Sequence, residues 1–409
     1  MKTFGLFMGL LLGISAFAQG PVEIRPGAAM DLRTPIAVPM FAAQAGFESI
    51  AEEMTRVIRY DLDFSGEFIV LPDEQFPPNA ARSDPDPLKI DFPAWQNTRA
   101  EMLVHCHLKG DPDGSLKPEF RLFDVKSATQ VTGKILPESR KWARHLAHLF
   151  ADEIVRQATG TAGVASSQIC FSVGQPGKKE IYIAEYDGAN ARALTAHNSI
   201  SIKPEFSPDG AKIAYVSYKE GYQFIYILTL SSGESVPLSR KVGMNSSPAW
   251  APDGNSLAIT LSKDGNSEIY TLNADGSNSL RLTDNKVLDT SPTYSPDGGQ
   301  IAYISESQGK AQIYAMGRTG GNVRRLSFQG GASFDPVWSP DGKKIAYVAE
   351  QPGDGAEIYV LDVANPQNAI RLTNSSGSNE SPSWSSDSRH LMFQSTRQGK
   401  PELDRKSVV

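Results

Sequence analysis

A five-residue motif recurs through the second half of the chain: an aromatic residue, Ser or Ala, then Pro, Asp and Gly. Its copies begin at Phe206, Trp250, Tyr294 and Trp338, and a degraded copy begins at Trp384. The successive offsets are 44, 44, 44 and 46 residues. Two further markers recur at nearly the same interval. The first is an Ile-Tyr pair, which begins at Ile181, Ile225, Ile269, Ile313 and Ile358. The second is a Leu followed by Thr or Ser, which begins at Leu194, Leu238, Leu282, Leu326 and Leu372. A period of roughly 40–50 residues with several short strand patterns per unit is typical of β-propeller blades.

These repeats predict six blades over residues 164–409. The first unit, residues 168–196, carries the Ile-Tyr pair and the Leu-Thr marker but not the aromatic motif, so it lacks an inner strand of its own. We expect a strand from the other end of the chain to complete it. In the sixth unit, Asp404 occupies the position that Tyr has in the Ile-Tyr marker of the other units. The sequence after Asp404 has no pattern for a strand that would close the ring. We therefore expect an incomplete sixth blade, as in a chain with a truncated or altered C-terminus.

The Asp of the repeated motif has two interpretations, a ring of metal ligands or the capping of a tight turn. In such a turn Pro sets the backbone angle, Asp accepts hydrogen bonds from nearby amides, and Gly adopts a positive φ. One Asp per blade beside Pro and Gly is what the turn itself requires. We therefore favour turn capping.

The first 18 residues have the pattern of a secretory signal peptide. Lys2 precedes an apolar run over 4–14, and an Ala-x-Ala cleavage pattern ends at Ala18. Such a segment is too short to span a membrane. We therefore expect a mature chain that begins at Gln19 and lies outside the cytoplasm.

Residues 19–163 lack the repeat and form the predicted first domain. Helical spacing of apolar residues predicts helices over 47–62 and 139–159, with short strand patterns between them. The apolar face of the second helix carries Trp142, Leu146, Leu149, Phe150 and Ile154. The predicted fold class is an α/β N-terminal domain followed by an all-β six-bladed β-propeller.

Composition and motifs exclude several classes of function. The net charge is −6 with no basic stripe, which argues against nucleic-acid binding. No nucleophile elbow, phosphate-binding loop or metalloprotease motif occurs, so we expect neither an enzyme nor a cofactor. A structural role is favoured for His105 and His107, and a solvated one for His145 and His148.

The two cysteines of the chain can be interpreted as buried residues or as a disulfide. Cys106 and Cys170 are the two cysteines of the chain, and each lies in an apolar strand pattern. We interpret both as small buried hydrophobic residues rather than as a disulfide.

Propellers bind partners at their ring faces, over the central channel. We expect the loops that enter the inner strands to form such a surface, because they mix small hydroxyl and amide side chains with an exposed aromatic residue. The candidate residues are Asn245, Ser246, Ser247, Asp289, Thr290, Ser291, Phe334, Asp335, Asn379 and Glu380, with Met244 just before them.

The succession of signal peptide, small α/β domain and propeller with this repeat resembles the TolB family of the Tol–Pal system in Gram-negative envelopes. The resemblance implies a monomeric, non-enzymatic periplasmic scaffold for outer-membrane integrity and cell division. It implies that the lipoprotein Pal binds one propeller face, at positions matching Met244, Ser247 and Thr290. It further implies that TolA binds an N-terminal segment containing Val22, Glu23, Ile24 and Arg25, and that calcium can occupy the channel.

A second class of function stays open at this point. Similar propellers form the recognition domain of secreted serine peptidases, whose catalytic domain would be missing here. A closing strand encoded soon after Val409 would favour the scaffold, and a downstream nucleophile elbow would favour the peptidase.

The predicted cleavage after Ala18 is directly testable. N-terminal sequencing of the exported protein should begin at Gln19, because the Ala-x-Ala pattern directs the signal peptidase to that bond. An exported chain that still begins with Met1 would contradict the prediction.

Overall fold

The computed structural model describes residues 32–408, except 79, 81, 85, 111–114, 137–138, 352–354 and 375–376. The chain divides into two compact units, with the boundary between Ser167 and Gln168. The predicted signal peptide lies outside the described residues. Among the helices described, none is long and apolar enough to cross a membrane.

The first unit is a mixed α/β domain. Its elements are β1 (Thr34–Ala37), β2 (Ala42–Ala43), α1 (Glu48–Phe64), β3 (Phe68–Val70), α2 (Phe92–Gln96), β4 (Met102–Gly110), β5 (Leu116–Asp124), β6 (Thr129–Ile135) and α3 (Ala143–Thr159). The six strands form one sheet in the order β3-β1-β4-β5-β6, with β2 paired to β4. Pairings among β1 to β4 are parallel, whereas β4, β5 and β6 are antiparallel.

The two long helices appear where helical spacing predicts them, with differences at the ends. Helix α3 begins at Ala143 after a short 3-10 turn, and it ends at Thr159 because the next residue, Gly160, has a φ of 78°. Phe150 stacks on Phe120 of the sheet at 4.5 Å between ring centroids. Trp142 and Leu149 are exposed, because they lie outside the face that this packing buries.

One histidine prediction is wrong. His148 does not lie on a solvated face: it is buried, and its Nδ1 lies 2.7 Å from Oδ2 of the buried Asp61 of α1. The two residues are 87 positions apart in the chain. The i,i+3 spacing of His145 and His148 therefore gave no indication of this partner.

The second unit is a β-propeller of six sheets, which confirms the predicted fold class. Four sheets have four strands, and the first and sixth each have three among the described residues. The first blade is β7 (Gln168–Gln175), β8 (Lys178–Glu185) and β9 (Arg192–Ala193); the second is β10 (Ser201–Phe206), β11 (Lys212–Ser217), β12 (Phe224–Thr229) and β13 (Ser235–Ser239); the third is β14 (Asn245–Trp250), β15 (Ser256–Leu261), β16 (Glu268–Asn273) and β17 (Leu280–Arg281). The fourth is β18 (Asp289–Tyr294), β19 (Gln300–Ser305), β20 (Gln312–Gly317) and β21 (Arg324–Arg325); the fifth is β22 (Ser333–Trp338), β23 (Lys344–Gln351), β24 (Gly355–Asp362) and β25 (Ile370–Arg371); the sixth is β26 (Asn379–Trp384), β27 (His390–Ser395) and β28 (Glu402–Ser407).

In the second to fifth blades, the Ile-Tyr marker contributes one side chain to the core shared with each neighbouring blade. Successive side chains of a strand point to opposite faces of the sheet. In the second blade, Ile225 therefore packs in the core shared with the third blade, together with Trp250. Its neighbour Tyr226 packs in the core shared with the first blade, together with Ile181. The marker recurs in these blades because each of them is buried on two faces.

The repeated Asp caps the turn between the first two strands of a blade, as predicted. The Ser207 hydroxyl donates to Asp209 Oδ1 at 2.5 Å, and the same oxygen accepts the Ala211 amide at 3.0 Å. The turns at Asp297 and Asp341 repeat both bonds. The carboxylate is thus engaged by its own turn.

Both cysteines are free thiols. Cys106 is buried in β4, where burial raises the pKa of its thiol well above the usual range. Cys170 of β7 is half-buried against the core of the first two blades, and burial raises the pKa of its thiol to about 12.

These environments predict slow thiol chemistry in the native protein. At pH 7.5 we expect neither cysteine to react with a thiol reagent such as DTNB until guanidinium unfolds the chain, because the thiolate is the reactive species. The absorbance released by native and denatured samples measures this. Rapid release of one equivalent from the native protein would contradict it.

Candidate functional site

One face of the propeller collects the starts of the inner strands. In the third blade, Asn245 at the start of β14 pairs with Leu261 at the end of β15, and Leu261 pairs with Glu268 at the start of β16. The hairpin between the second and third strands therefore lies at the same end as the inner-strand start. We call this end of the propeller the start face.

A ring of five equivalent residues lies near the start of the inner strands. Each has a positive φ, between 45° and 53°, and each lies where the pairing of the first two strands shifts register. Such a shift is a β-bulge, which re-aims a side chain. The members of this channel ring are Lys203, Ser247, Ser291, Asp335 and Ser381.

Contacts within the channel ring join different blades. Lys203 Nζ lies 3.3 Å from Ser247 Oγ and 3.8 Å from Asp335 Oδ1. Ser247 Oγ lies 3.5 Å from Ser291 Oγ. Residues from the second, third, fourth and fifth blades can meet in this way at the propeller axis, so the ring lines the channel.

The predicted loops at this face are strands. The candidate residues Asn245, Asp289 and Asn379 are the first residues of their inner strands, and all three are buried. The Asn245 amide oxygen accepts from the Ser239 hydroxyl at 2.7 Å and from the Lys241 amide at 3.0 Å. The side chain of Asn245 therefore holds the blade together rather than facing solvent.

The other candidates differ in exposure. Ser246 is buried, whereas Met244, Thr290 and Glu380 are half-buried. Phe334 is not exposed as expected but half-buried, because it packs against the cores on both sides of the fifth blade. The candidates Val22, Glu23, Ile24 and Arg25 lie outside the described residues.

Exposed apolar side chains also lie at the start face, which the sequence analysis missed. Tyr222 is 71% exposed in the hairpin of the second blade, and Val242 is 86% exposed in the segment that leads into β14. Leu288 and Phe328 are exposed in the corresponding segments of the next two blades. Aligning the repeats would have shown Tyr222 where the third and fourth blades have Asn266 and Lys310.

Strand β4 carries the histidine pair His105 and His107, and the contacts of His105 indicate its role. His105 is buried, and its Nε2 lies 2.7 Å from the backbone oxygen of Asp84, to which it donates. Burial lowers the pKa of His105. This environment agrees with the structural role predicted for the residue.

Two family models match the chain. The TolB beta propeller domain matches residues 155–356 and 331–408, and the TolB amino-terminal domain matches residues 22–131. These matches cover most of the chain and follow the order of its two units.

Relatives and a solved structure agree with these matches. The chain is 35% identical over 216 residues to the Tol-Pal system protein TolB of Syntrophotalea carbinolica, covering 52% of this chain and 50% of the relative. It is 34% identical over 233 residues to the Tol-Pal system protein TolB of Paramagnetospirillum magneticum, covering 54% of this chain and 50% of the relative. The match thus spans about half the length of these curated relatives, which are named as components of a system and not as enzymes. The crystal structure of TolB from Acinetobacter baumannii superposes with a TM-score of 0.80 at 26% identity, covering 95% of this chain and 92% of that one. This chain therefore belongs to the TolB family.

Proposed function

We propose that the chain is a periplasmic, non-enzymatic scaffold of the Tol–Pal system. Its start face binds the lipoprotein Pal, and its N-terminal segment, residues 22–27, binds TolA. Through these two contacts it supports outer-membrane integrity and constriction of the envelope during cell division. The names of the relatives support membership of the system.

The observation that carries the proposal is the distribution of exposed apolar side chains. Tyr222, Val242, Leu288 and Phe328 lie at the start face, around the hydroxyl groups of the channel ring. Protein interfaces combine apolar and aromatic contacts with a polar surround. A protein surface is therefore the partner that this face fits best.

The channel ring supports binding rather than catalysis. Lys203 lies near Ser247, but its ammonium group also pairs with Asp335 at 3.8 Å. A serine nucleophile needs a neighbouring base, and a charged ammonium can only donate. Among the described residues, the hydrogen-bond partners of Ser247 Oγ are Lys203, Ser246 and Ser291, and none of these is a general base.

The same ion pair opposes calcium in the ring. Calcium binds oxygen ligands and favours carboxylates. Within the channel ring the carboxylate is that of Asp335, and the ammonium of Lys203 already lies beside it. The ring residues therefore do not fit a calcium ion.

Thr290→Arg tests the proposed Pal surface. Thr290 is half-buried and directly precedes Ser291 of the channel ring. An arginine there would clash with a partner that docks over the channel and would add a charge to be desolvated. We expect Pal affinity to fall at least about tenfold by isothermal calorimetry, equal to about 1.4 kcal/mol.

The matched control is Ser277→Arg, in the exposed turn between β16 and β17 at the opposite end of the third blade. It should bind Pal like the parent chain. Circular dichroism and melting curves should be unchanged for both variants. Parental Pal binding by a folded Thr290→Arg protein would overturn this location of the site.

Deletion of residues 22–27 tests the second partner. We expect the shortened mature chain to lose TolA in a pull-down and to keep Pal, because the two partners use separate parts of the chain. A scrambled 22–27 segment of the same composition is the control for length and charge. Retention of TolA by the deletion would contradict the assignment.

A further inference from the structure

The second blade departs from the repeat in the hairpin between its second and third strands. The third residue before the Ile-Tyr position is Tyr222, and the residue directly before it is Phe224. In the other blades the first of these positions holds Lys178, Asn266, Lys310, Gly355 and Lys400. The second holds Glu180, Glu268, Gln312, Glu357 and Glu402. Two aromatic rings thus occupy positions at which the other hairpins have polar side chains or glycine.

A third departure lies in the segment that leads from the second blade into the third. Val242 is the third residue before the start of β14, and it is 86% exposed. The equivalent residues before the other inner strands are Asn198, Lys286, Gly330 and Ser376. We call Tyr222, Phe224 and Val242 the apolar corner. All three departures are toward apolar side chains, and all three lie at the start face.

Contacts within the second blade hold the apolar corner in place. The ring centroids of Tyr222 and Phe224 are 6.0 Å apart, and Phe224 packs against the core of the first two blades. Glu220 of the hairpin accepts a hydrogen bond from Arg240 of the segment that leads into β14. It also accepts one from the Tyr226 hydroxyl at 2.8 Å. The hairpin and the segment are therefore joined before any partner arrives, which lowers the entropic cost of binding.

The fold does not require apolar residues at these positions. The other blades form the equivalent strands with polar residues or glycine there. The Tyr222 side chain is 71% exposed, so most of its apolar surface contributes nothing to a core. An aromatic residue that is held in place on a surface is typical of a hot spot in a protein interface.

The charges around the apolar corner indicate the kind of surface that it fits. Lys219, Arg240 and Lys241 are cationic, whereas Glu220 is the acid of the same hairpin. Arg240 and Lys241 are exposed beside Val242 in the sequence. A complementary partner surface therefore combines an apolar pocket with carboxylates at its rim.

We propose that the apolar corner is the anchor of the start face: the Tyr222 ring enters an apolar pocket of a protein partner, and carboxylates line the rim of that pocket. This inference rests on the proposed function, because it takes the docking of a protein on the start face as given. It adds that the affinity is concentrated at the second blade, beside the channel, rather than spread evenly around the face.

Exchange of the corner for residues of other blades tests the proposal. Tyr222→Asn and Val242→Asn each install a residue that the repeat already carries at that position, at Asn266 and Asn198. In the full mature chain we expect Tyr222→Asn to lower the affinity for Pal at least about tenfold by isothermal calorimetry. Val242→Asn should also lower it, because the variant removes apolar contact area.

Two further variants are matched controls. Tyr222→Phe keeps the aromatic ring and should bind Pal like the parent chain. Lys310→Asn changes the equivalent, exposed hairpin position of the fourth blade and should also leave the affinity unchanged. All four variants should melt like the parent chain, because the side chains that they change are exposed.

Parental Pal affinity of a folded Tyr222→Asn protein would overturn the anchor, and so would an equal loss for Lys310→Asn. If Thr290→Arg weakens Pal binding while Tyr222→Asn does not, the start face still binds Pal and this inference alone is wrong. A parent chain that does not bind Pal would contradict the proposed function, and the inference would fall with it. If Tyr222→Asn does not fold, parental affinity of Val242→Asn would equally overturn the anchor.

Discussion

The propeller depends on the burial of its middle strands against two neighbours at once. In the second blade Ile225 and Tyr226 are adjacent in sequence but pack in different cores, one shared with each neighbouring blade. Burial of one Ile side chain stabilises by about 1.5–3 kcal/mol. No blade can bury both of its faces alone, so the blades stabilise one another through these shared cores.

This packing leaves the strand ends free to differ between blades. In the turns of the repeated motif, the Asp and Ser side chains form hydrogen bonds within the turn, as Asp209 and Ser207 do. At the start face the side chains vary more, from Lys203 and Asp335 in the channel ring to the exposed Tyr222. Binding residues commonly lie at the variable ends of a rigid scaffold.

The sequence predicted the repeat correctly and misjudged several side chains. Ser, Asn and Pro together indicated loops at 245–248 and 289–292, yet these segments begin strands. The inner strand is an edge strand of its sheet and carries a bulge, and both features tolerate proline. His148 was misjudged for a different reason, because its buried partner Asp61 belongs to another helix.

Blade number, turn chemistry and the order of the two units follow from the sequence alone, because each is expressed in a local pattern that recurs at a constant step. The tertiary structure decided which residues of different repeats meet. Lys203 reaches Asp335 across the channel, and Asn285 donates hydrogen bonds to both Glu268 and Asp289. The physical reason is that such contacts depend on strand register and on the closing of blades around an axis, which bring together positions that the linear repeat separates by as many as 132 residues.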